Sequence, residues 1–390
     1  MGPRIEFADL AGERTRSEIF ALVLTEGPIS RTALSERLGL VPSTITRVLP
    51  PLLEHDYLRE TDAPPQGRGR PRRMLEVNAE RHLVVGLKIG PSLVSGVVTD
   101  LAAQVLARDE APIADCTPAT ALAAASALTE RLLRQVPDGR DRALGVGIGL
   151  GGHVDPAGGV CLYSSLLDWD GVDVADPVSA ATGLPVIANN DVNALAVAEH
   201  WFGHGRGADS FAVVTVGPGI GCGLVLGGEL FCGSGGMAGE FGHLPLDPAG
   251  PMCSCGSRGC LESLAGDRAV LRHIHDAGLS GCATVGEAAA LAREGSPMPR
   301  AVARAAFAEA GTALGRGLAG LCNLLNVGKI VIAGEGAVAY DLFGPAMTEA
   351  FHSHAFSDAA RHCTVHVNPV RDDMWARGAA CLVIREAVRT

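Results

Sequence analysis

Over residues 15–25 the apolar positions Ile19, Phe20, Val23 and Leu24 recur three and four apart, the spacing of one stripe on an α-helix. Gly27-Pro28 ends that helix. Ser30 is a good N-cap for a shorter helix carrying Ala33, Leu34 and Leu38, and Gly39 suits the position just past its end. Pro42 fits the first position of a third helix, where its missing N–H is not needed. Ile45, Val48 and Leu49 then face inward, while Ser43, Thr44, Thr46 and Arg47 face out near the N-terminus. Pro50-Pro51 falls where this helix should continue. Proline inside a helix costs about 3 kcal/mol, so a bend is expected, with Leu52, Leu53 and Tyr57 resuming the core. Helix, short helix, glycine turn, helix is the helix-turn-helix layout. Residues 57–59 and 74–77 read as wing strands around a loop over 64–73. Residues 1–80 are thus expected to form a winged helix-turn-helix domain.

The pattern then changes to apolar strands alternating with alanine-rich helices, the signature of an α/β body over 81–390. Leu83–Ile89 is an apolar run followed by a Gly-Pro-Ser turn and a second run, Leu93–Thr99. Residues 211–216 are another, followed by a glycine-rich turn over 217–223 and a strand over 224–226. A strand–turn–strand signal that recurs in this way predicts two similar lobes, one about 81–195 plus 374–390 and the other about 196–373. Helices are expected over 118–135 and 301–325, and a last one, Met374–Val388, should pack back on the first lobe.

A chain of 390 residues is long for one domain, and 47% apolar residues with 50 glycines suit an α/β protein rich in tight turns. No apolar run is long enough to span a membrane. The net charge of −11 argues at first against a nucleic-acid partner. Residues 1–82, however, balance 12 basic against 12 acidic side chains, so the acidity lies in the body. Within this neutral head, Arg68, Arg70, Arg72 and Arg73 stand in seven residues interleaved with Gly and Pro, and arginine inserts well into a narrow minor groove. Ser43, Thr44, Thr46 and Arg47 lie where a recognition helix meets base edges and phosphates of double-stranded DNA. An ordinary polar helix face and a solvated basic linker are the plainer readings of the same residues.

His243, Cys253, Cys255 and Cys260 form the pattern H-x9-C-x-C-x4-C, interleaved with Gly256 and Gly259. Four such ligands can close a tetrahedron around one Zn²⁺ and leave no open position, which makes the metal structural. The alternative is three reduced thiols and a surface histidine. Residues 1–16 mix charges and lack an apolar core, so no secretory signal is expected; a cytoplasmic chain keeps its thiols reduced, and there such patterns point to metal. Cys116, Cys322 and Cys381 sit among apolar residues and read as core.

The runs Asn190-Asp191-Val192-Asn193-Ala194, Glu240-Phe241-Gly242-His243 and Cys253 through Glu262, with weaker support from Gly152-His153-Val154-Asp155 and residues 330–336, carry a resemblance to the ROK family (repressors, open reading frames and kinases). That resemblance implies a two-lobed actin/hexokinase-like (ribonuclease H-like) ATPase fold with a sugar site in the cleft between lobes. The site would comprise Gly152, Asn190, Asp191, Glu240, His243 and Glu262. Carboxylates accept hydroxyls strongly, and His243 would serve zinc with one ring nitrogen and the sugar with the other. Asn190-Asp191 would also cap a helix starting near Asn193. With the head included, the chain is similar to ROK transcriptional regulators of sugar metabolism.

In the family's kinases Asp191 would be the general base. The first phosphate motif, resembling D-x-G-G-T, is here Lys88-Ile89-Gly90-Pro91-Ser92, and the second, resembling G-T-G-I-G, is Gly217-Pro218-Gly219-Ile220-Gly221. An acid has become a base, and two prolines have removed N–H donors from the phosphate cradles. The expectation is therefore a non-enzymatic, sugar-responsive repressor that partners an operator, a small sugar or sugar phosphate, and further copies of itself as a homodimer or homotetramer. A ROK-type sugar kinase and a regulator worked by a partner protein are the alternatives.

Overall fold

Three helices and a three-stranded antiparallel sheet make the head. The structure is a computed structural model in which residues 14–62, 73–368 and 373–388 are described. Helix α1 (Arg14–Glu26) leads into strand β1 (Ile29–Ser30), helix α2 (Arg31–Leu38) and helix α3 (Pro42–Glu54); strands β2 (Leu58–Asp62) and β3 (Arg73–Val77) form the wing. The Ser30 hydroxyl accepts from the Ala33 N–H at 3.2 Å, and Gly39 takes the left-handed conformation, φ 63°, that ends α2. Helix α3 continues through both prolines to Glu54. The carbonyls deprived of a donor belong to Thr46 and Arg47, exposed residues that water reaches, while Val48, Leu49 and Leu52 keep the apolar side buried. The wing pairs from Leu58↔Val77 to Asp62↔Arg73, longer than the sequence pattern indicated, and β1 adds an unforeseen third strand against Leu75 and Met74.

The chain divides into two units, residues 1–206 with 373–390, and residues 207–372. The first unit holds the head and a five-stranded sheet made of β4 (Leu83–Ile89), β5 (Leu93–Thr99), β6 (Val105–Pro112), β7 (Ala143–Leu150) and, beyond a small antiparallel meander of β8 (His153–Asp155), β9 (Val160–Ser164) and β10 (Trp169–Asp173), β11 (Val186–Asn190). Its order is β11-β7-β4-β5-β6. Helices α4 (Pro118–Arg134), α5 (Gly139–Arg142) and α6 (Ala175–Thr182) precede α7 (Asp191–Phe202), which leaves the carboxyl end of β11.

The second unit repeats the plan. Strands β12 (Phe211–Thr215), β13 (Gly221–Leu226) and β14 (Glu229–Leu230) form the antiparallel side; β15 (Lys329–Ala333) and β16 (Thr364–Val367) add in parallel, giving β14-β13-β12-β15-β16. Helices α8 (Leu261–Ala265), α9 (Asp267–Asp276), α10 (Val285–Glu294), α11 (Pro297–Leu325), α12 (Tyr340–His354) and α13 (Ala359–His362) cover it. Phe307, Leu314, Leu318, Met347 and Phe351 carry the buried seam.

The last helix, α14 (Met374–Val388), returns to the first unit as its sequence indicated. It lies directly on the sheet because Gly86 and Gly147 present no side chain. A Cβ on either would come within 1.9 Å of a carbonyl of α14, that of Ala376 or Ala379. The parallel strands of each sheet end level, Ile89 beside Leu150 beside Asn190 in one unit and Thr215 beside Ala333 in the other. The carboxyl edge of parallel strands is where ligands of α/β sheets bind.

Candidate functional site

At that edge of the first unit, Gly152, Asn190 and Asp191 come together. Asn190 is the N-cap of α7, which begins two residues before Asn193. Its side-chain oxygen accepts from the N–H groups of Val192 and Asn193 at 2.9 and 3.2 Å, and its amide nitrogen donates to the Gly152 carbonyl at 2.9 Å. The cap thus fixes the loop after β7 to the start of α7. Asp191 follows in the first helical turn, where the helix dipole favours an anion. One oxygen accepts from the Val192 N–H at 2.9 Å and the other is ion-paired with Lys88. Lys88 comes from β4, between Ser95 and Gly149 on its neighbouring strands, and its ammonium lies 5.2 Å from the centre of the Trp375 ring. The Lys88 and Asp191 side chains are only 17% and 12% exposed. The sequence marked Lys88 as a lost carboxylate that could attract a phosphate; the fold pairs it with Asp191.

In the second unit Glu240, His243 and Glu262 gather around the cysteine loop. His243 Nδ1 is 3.6 Å from Cys253 Sγ, Cys255 Sγ is 3.7 Å from Cys260 Sγ, and all four ligand atoms lie within 4.8 Å of one another. Zn–S bonds of about 2.3 Å and Zn–N bonds of about 2.0–2.1 Å require tetrahedral edges of about 3.8 Å between sulfurs and about 3.6 Å from sulfur to nitrogen. The donor set therefore fits the ion both in chemistry and in spacing. A tight turn makes it so: Cys253 N–H donates to Ser257 at 2.8 Å, Gly256 N–H to Cys253 at 3.0 Å. A Cβ at Gly259 would lie 1.6 Å from the Asp247 carbonyl oxygen, so the loop closes only on glycine. The Ser257 N–H holds the Cys255 thiol down to about 7, and the thiolate is the ligating form. With Nδ1 turned to the cysteines, His243 Nε2 faces Glu240 at 3.8 Å.

Glu262, in the first turn of α8, accepts from the Ile220 N–H at 3.2 Å and from the Ser254 hydroxyl at 3.4 Å, so it ties the glycine-rich turn to the cysteine loop. The Gly221 N–H donates to Thr215 Oγ1 at 3.1 Å. Glu335 approaches the other end of the turn, its carboxylate 3.1 Å from where a Cβ on Gly217 would stand, and Asp267 N–H donates to the Gly217 carbonyl at 3.0 Å. Burial, then the charge of Glu335, pushes the Asp267 carboxyl up to about 6. Asp267 lines a small cavity of about 20 Å³, room for about one water, with Val216, Ala265, Phe307 and Gly336. The sequence reading passed over Asp267 and Glu335; their places beside glycines were the available signal.

On the head, Ser43, Thr46 and Arg47 are exposed and Thr44 is half-buried, all on the first turns of α3; the Thr46 hydroxyl donates back to the Pro42 carbonyl at 3.0 Å. Arg73 opens β3 and shares Glu60 with Arg31. The Glu60 carboxyl, though partly desolvated, is held below its usual range by hydrogen bonds from Arg31 and Arg73. Arg68, Arg70 and Arg72 lie outside the described residues. The described residues include no helix long and apolar enough to cross a membrane.

A winged head joined to a duplicated α/β body, with carboxylates, an amide and a His/Cys cluster that could hold a metal at the loop edges, defines a regulator-like member of the actin/hexokinase-type fold. The ROK family profile matches residues 84–386, and the chain belongs to that family. A xylose repressor of Caldicellulosiruptor bescii is 26% identical over 381 residues, 94% of each chain. A crystal structure of a ROK family transcriptional regulator, a homolog of the E. coli MLC protein, superposes with a TM-score of 0.82 at 25% identity, covering 96% of both chains. A ROK family glucokinase from Streptomyces griseus, solved with glucose and AMPPNP, gives 0.66 at 28% identity and covers 77% of this chain and 98% of its own.

Proposed function

We propose that the protein is a sugar-responsive, DNA-binding transcriptional repressor of carbohydrate-utilisation genes that does not itself phosphorylate sugar. One observation carries this reading. The body keeps the family's polar sugar residues, while its phosphate loops are occupied by the chain's own groups: Lys88 by Asp191, and the Ile220 and Gly221 N–H groups by Glu262 and Thr215. Phosphoryl transfer depends on positioning and electrostatic stabilisation of the phosphates, and both loops have lost groups that would supply it.

In this reading Gly152, Asn190 and Asp191, and separately Glu240, His243 and Glu262, receive the hydroxyls of the sugar. Zn²⁺ on His243, Cys253, Cys255 and Cys260 holds the second set in place. Ser43, Thr44, Thr46 and Arg47 face the major groove, and Arg68, Arg70, Arg72 and Arg73 face the minor groove beside it. The working form is a cytoplasmic homodimer or homotetramer. Helix α7 supports a route for the signal. It starts at Asp191, and just beyond its end the Arg206 guanidinium donates to the Thr25 carbonyl in the last turn of α1. A sugar that shifts α7 thereby acts on the head, and the coupling is reciprocal.

The test is fluorescence anisotropy of the zinc-loaded protein on an operator selected from genomic fragments, with and without a panel of hexoses and pentoses, beside a coupled ATPase assay on the same panel. Sugar-dependent operator affinity with no phosphorylation is expected. Robust sugar-dependent ATP turnover would return the chain to the kinases.

A further inference from the structure

An ammonium in an otherwise apolar strand at the edge of a sugar site invites a phosphate. The geometry points elsewhere: we infer that Lys88 is the residue that sets effector class, acting as a built-in counter-ion to Asp191, so that the effector is an uncharged sugar and not a sugar phosphate. The inference rests on the sugar-responsive reading above and narrows it.

Three observations carry it. First, the cation of Lys88 is already committed. It is paired with Asp191 and confined on another side by the Trp375 ring of α14, with most of its side chain out of water. The flanking Gly149 leaves the path clear: a Cβ there would already touch Asp191, at 3.5 Å from its Cα. To meet a phosphate, Lys88 would have to leave Asp191, and the stranded carboxylate would then face a dianion of the same sign. Second, Asp191 keeps what a neutral sugar needs. Its two oxygens take one donor each from the chain, the Val192 N–H and Lys88, and each retains a lone pair for a hydroxyl. An ionised carboxylate beside its counter-ion accepts a hydroxyl strongly.

Third, the second unit, taken by itself, offers an anion little. In its glycine-rich turn Pro218 has no N–H, Ile220 gives its own to Glu262, and Gly221 gives its own to Thr215. Glu335 stands beside Gly217, with Asp267 hydrogen-bonded to the same residue. A phosphate arriving there meets carboxylates and two donors already taken, and like-charge juxtaposition is costly.

The experiment is calorimetry on the full-length, zinc-loaded protein. The titrants are D-xylose, D-glucose and N-acetyl-D-glucosamine, then glucose 6-phosphate and N-acetylglucosamine 6-phosphate, with inorganic phosphate as a separate arm. At least one neutral sugar is expected to bind, the phosphate esters at least about thirtyfold more weakly, and inorganic phosphate not at all. In Lys88→Met the affinity for that neutral sugar should fall about tenfold, and Lys88→Arg, which keeps the charge, should restore most of it. A phosphate ester that binds as tightly as the neutral sugar, or tighter, overturns this inference and leaves the sugar-responsive reading standing. So does a folded Lys88→Met with unchanged affinity; where that variant does not fold, the wild-type panel and Lys88→Arg still decide. Silence from every sugar, neutral or phosphorylated, overturns the underlying reading and this inference with it.

Discussion

The two five-stranded sheets share one topology, yet the loops that follow their first strands depart from the family's phosphate motifs by different means. In the first unit the change is of charge. Lys88 stands where the resemblance leads one to expect an acid, and it is consumed by Asp191. In the second unit the turn over 217–221 survives with three glycines, but two of its donors are taken from within, by Glu262 and Thr215. A ligand can be refused by removing what attracts it or by filling the groups that would hold it, and in the proposed function each unit does one of these. The same Glu262 that accepts from the turn also reaches Ser254 in the cysteine loop, so one carboxylate ties the two together.

The widest gap between the units opens on removing the metal. Cys260 is fully buried, and Cys260→Ser should take bound zinc, measured by plasma emission, from one ion per chain to nearly none. The melting temperature should fall by about 5–10 °C, with operator binding by the head largely kept. Full metal content in that variant would detach the second unit from zinc.

The ion pair of the first unit ranks next. Lys88→Met leaves a shielded Asp191 without compensation, and urea denaturation should register a loss of about 3–5 kcal/mol, as expected when one partner of a buried pair is removed. Adding Asp191→Asn should recover most of it. Losses that simply add would mean that the two residues do not interact.

The head is weighed against the body through salt. Arg47→Ala on α3 should weaken operator binding about tenfold and lower the slope of log affinity against log salt by about one phosphate contact. An unchanged slope would remove Arg47 from the interface.

The smallest effect concerns Asp267. Its folded pKa is raised to about 6 by burial and Glu335, so the folded chain binds a proton more tightly than the unfolded one. That contribution is fully present below the ordinary carboxylate pKa and is lost as pH rises through about 6. Asp267→Asn should therefore raise the melting temperature more at pH 7.5 than at pH 4.5. An equal shift at both pH values would show that Asp267 carries no such burden.

Much of this was legible in the residues. Ser30, Gly39 and Pro42 placed the head helices because capping and φ preferences act within a few residues, and α3 runs on past Pro50-Pro51 because the carbonyls they deprive of a donor face water. Four metal ligands within eighteen positions could be read as one site because so short a loop has few ways to close. Asn190, read both as a sugar contact and as a cap, has its capping bonds in the fold.

The chain by itself determined its periodicities, its helix ends, the histidine-cysteine cluster and the loss of two proline-blocked donors, since each depends on neighbours in sequence. Only the tertiary structure decided that Lys88 would be spent on a carboxylate 103 residues away and that Ile220 would be capped by a glutamate 42 residues on. It decided too that Gly86 and Gly147 exist to admit α14. Charge and hydrogen-bond partners are settled by which strands lie side by side and end level, and that ordering is not written in any one segment.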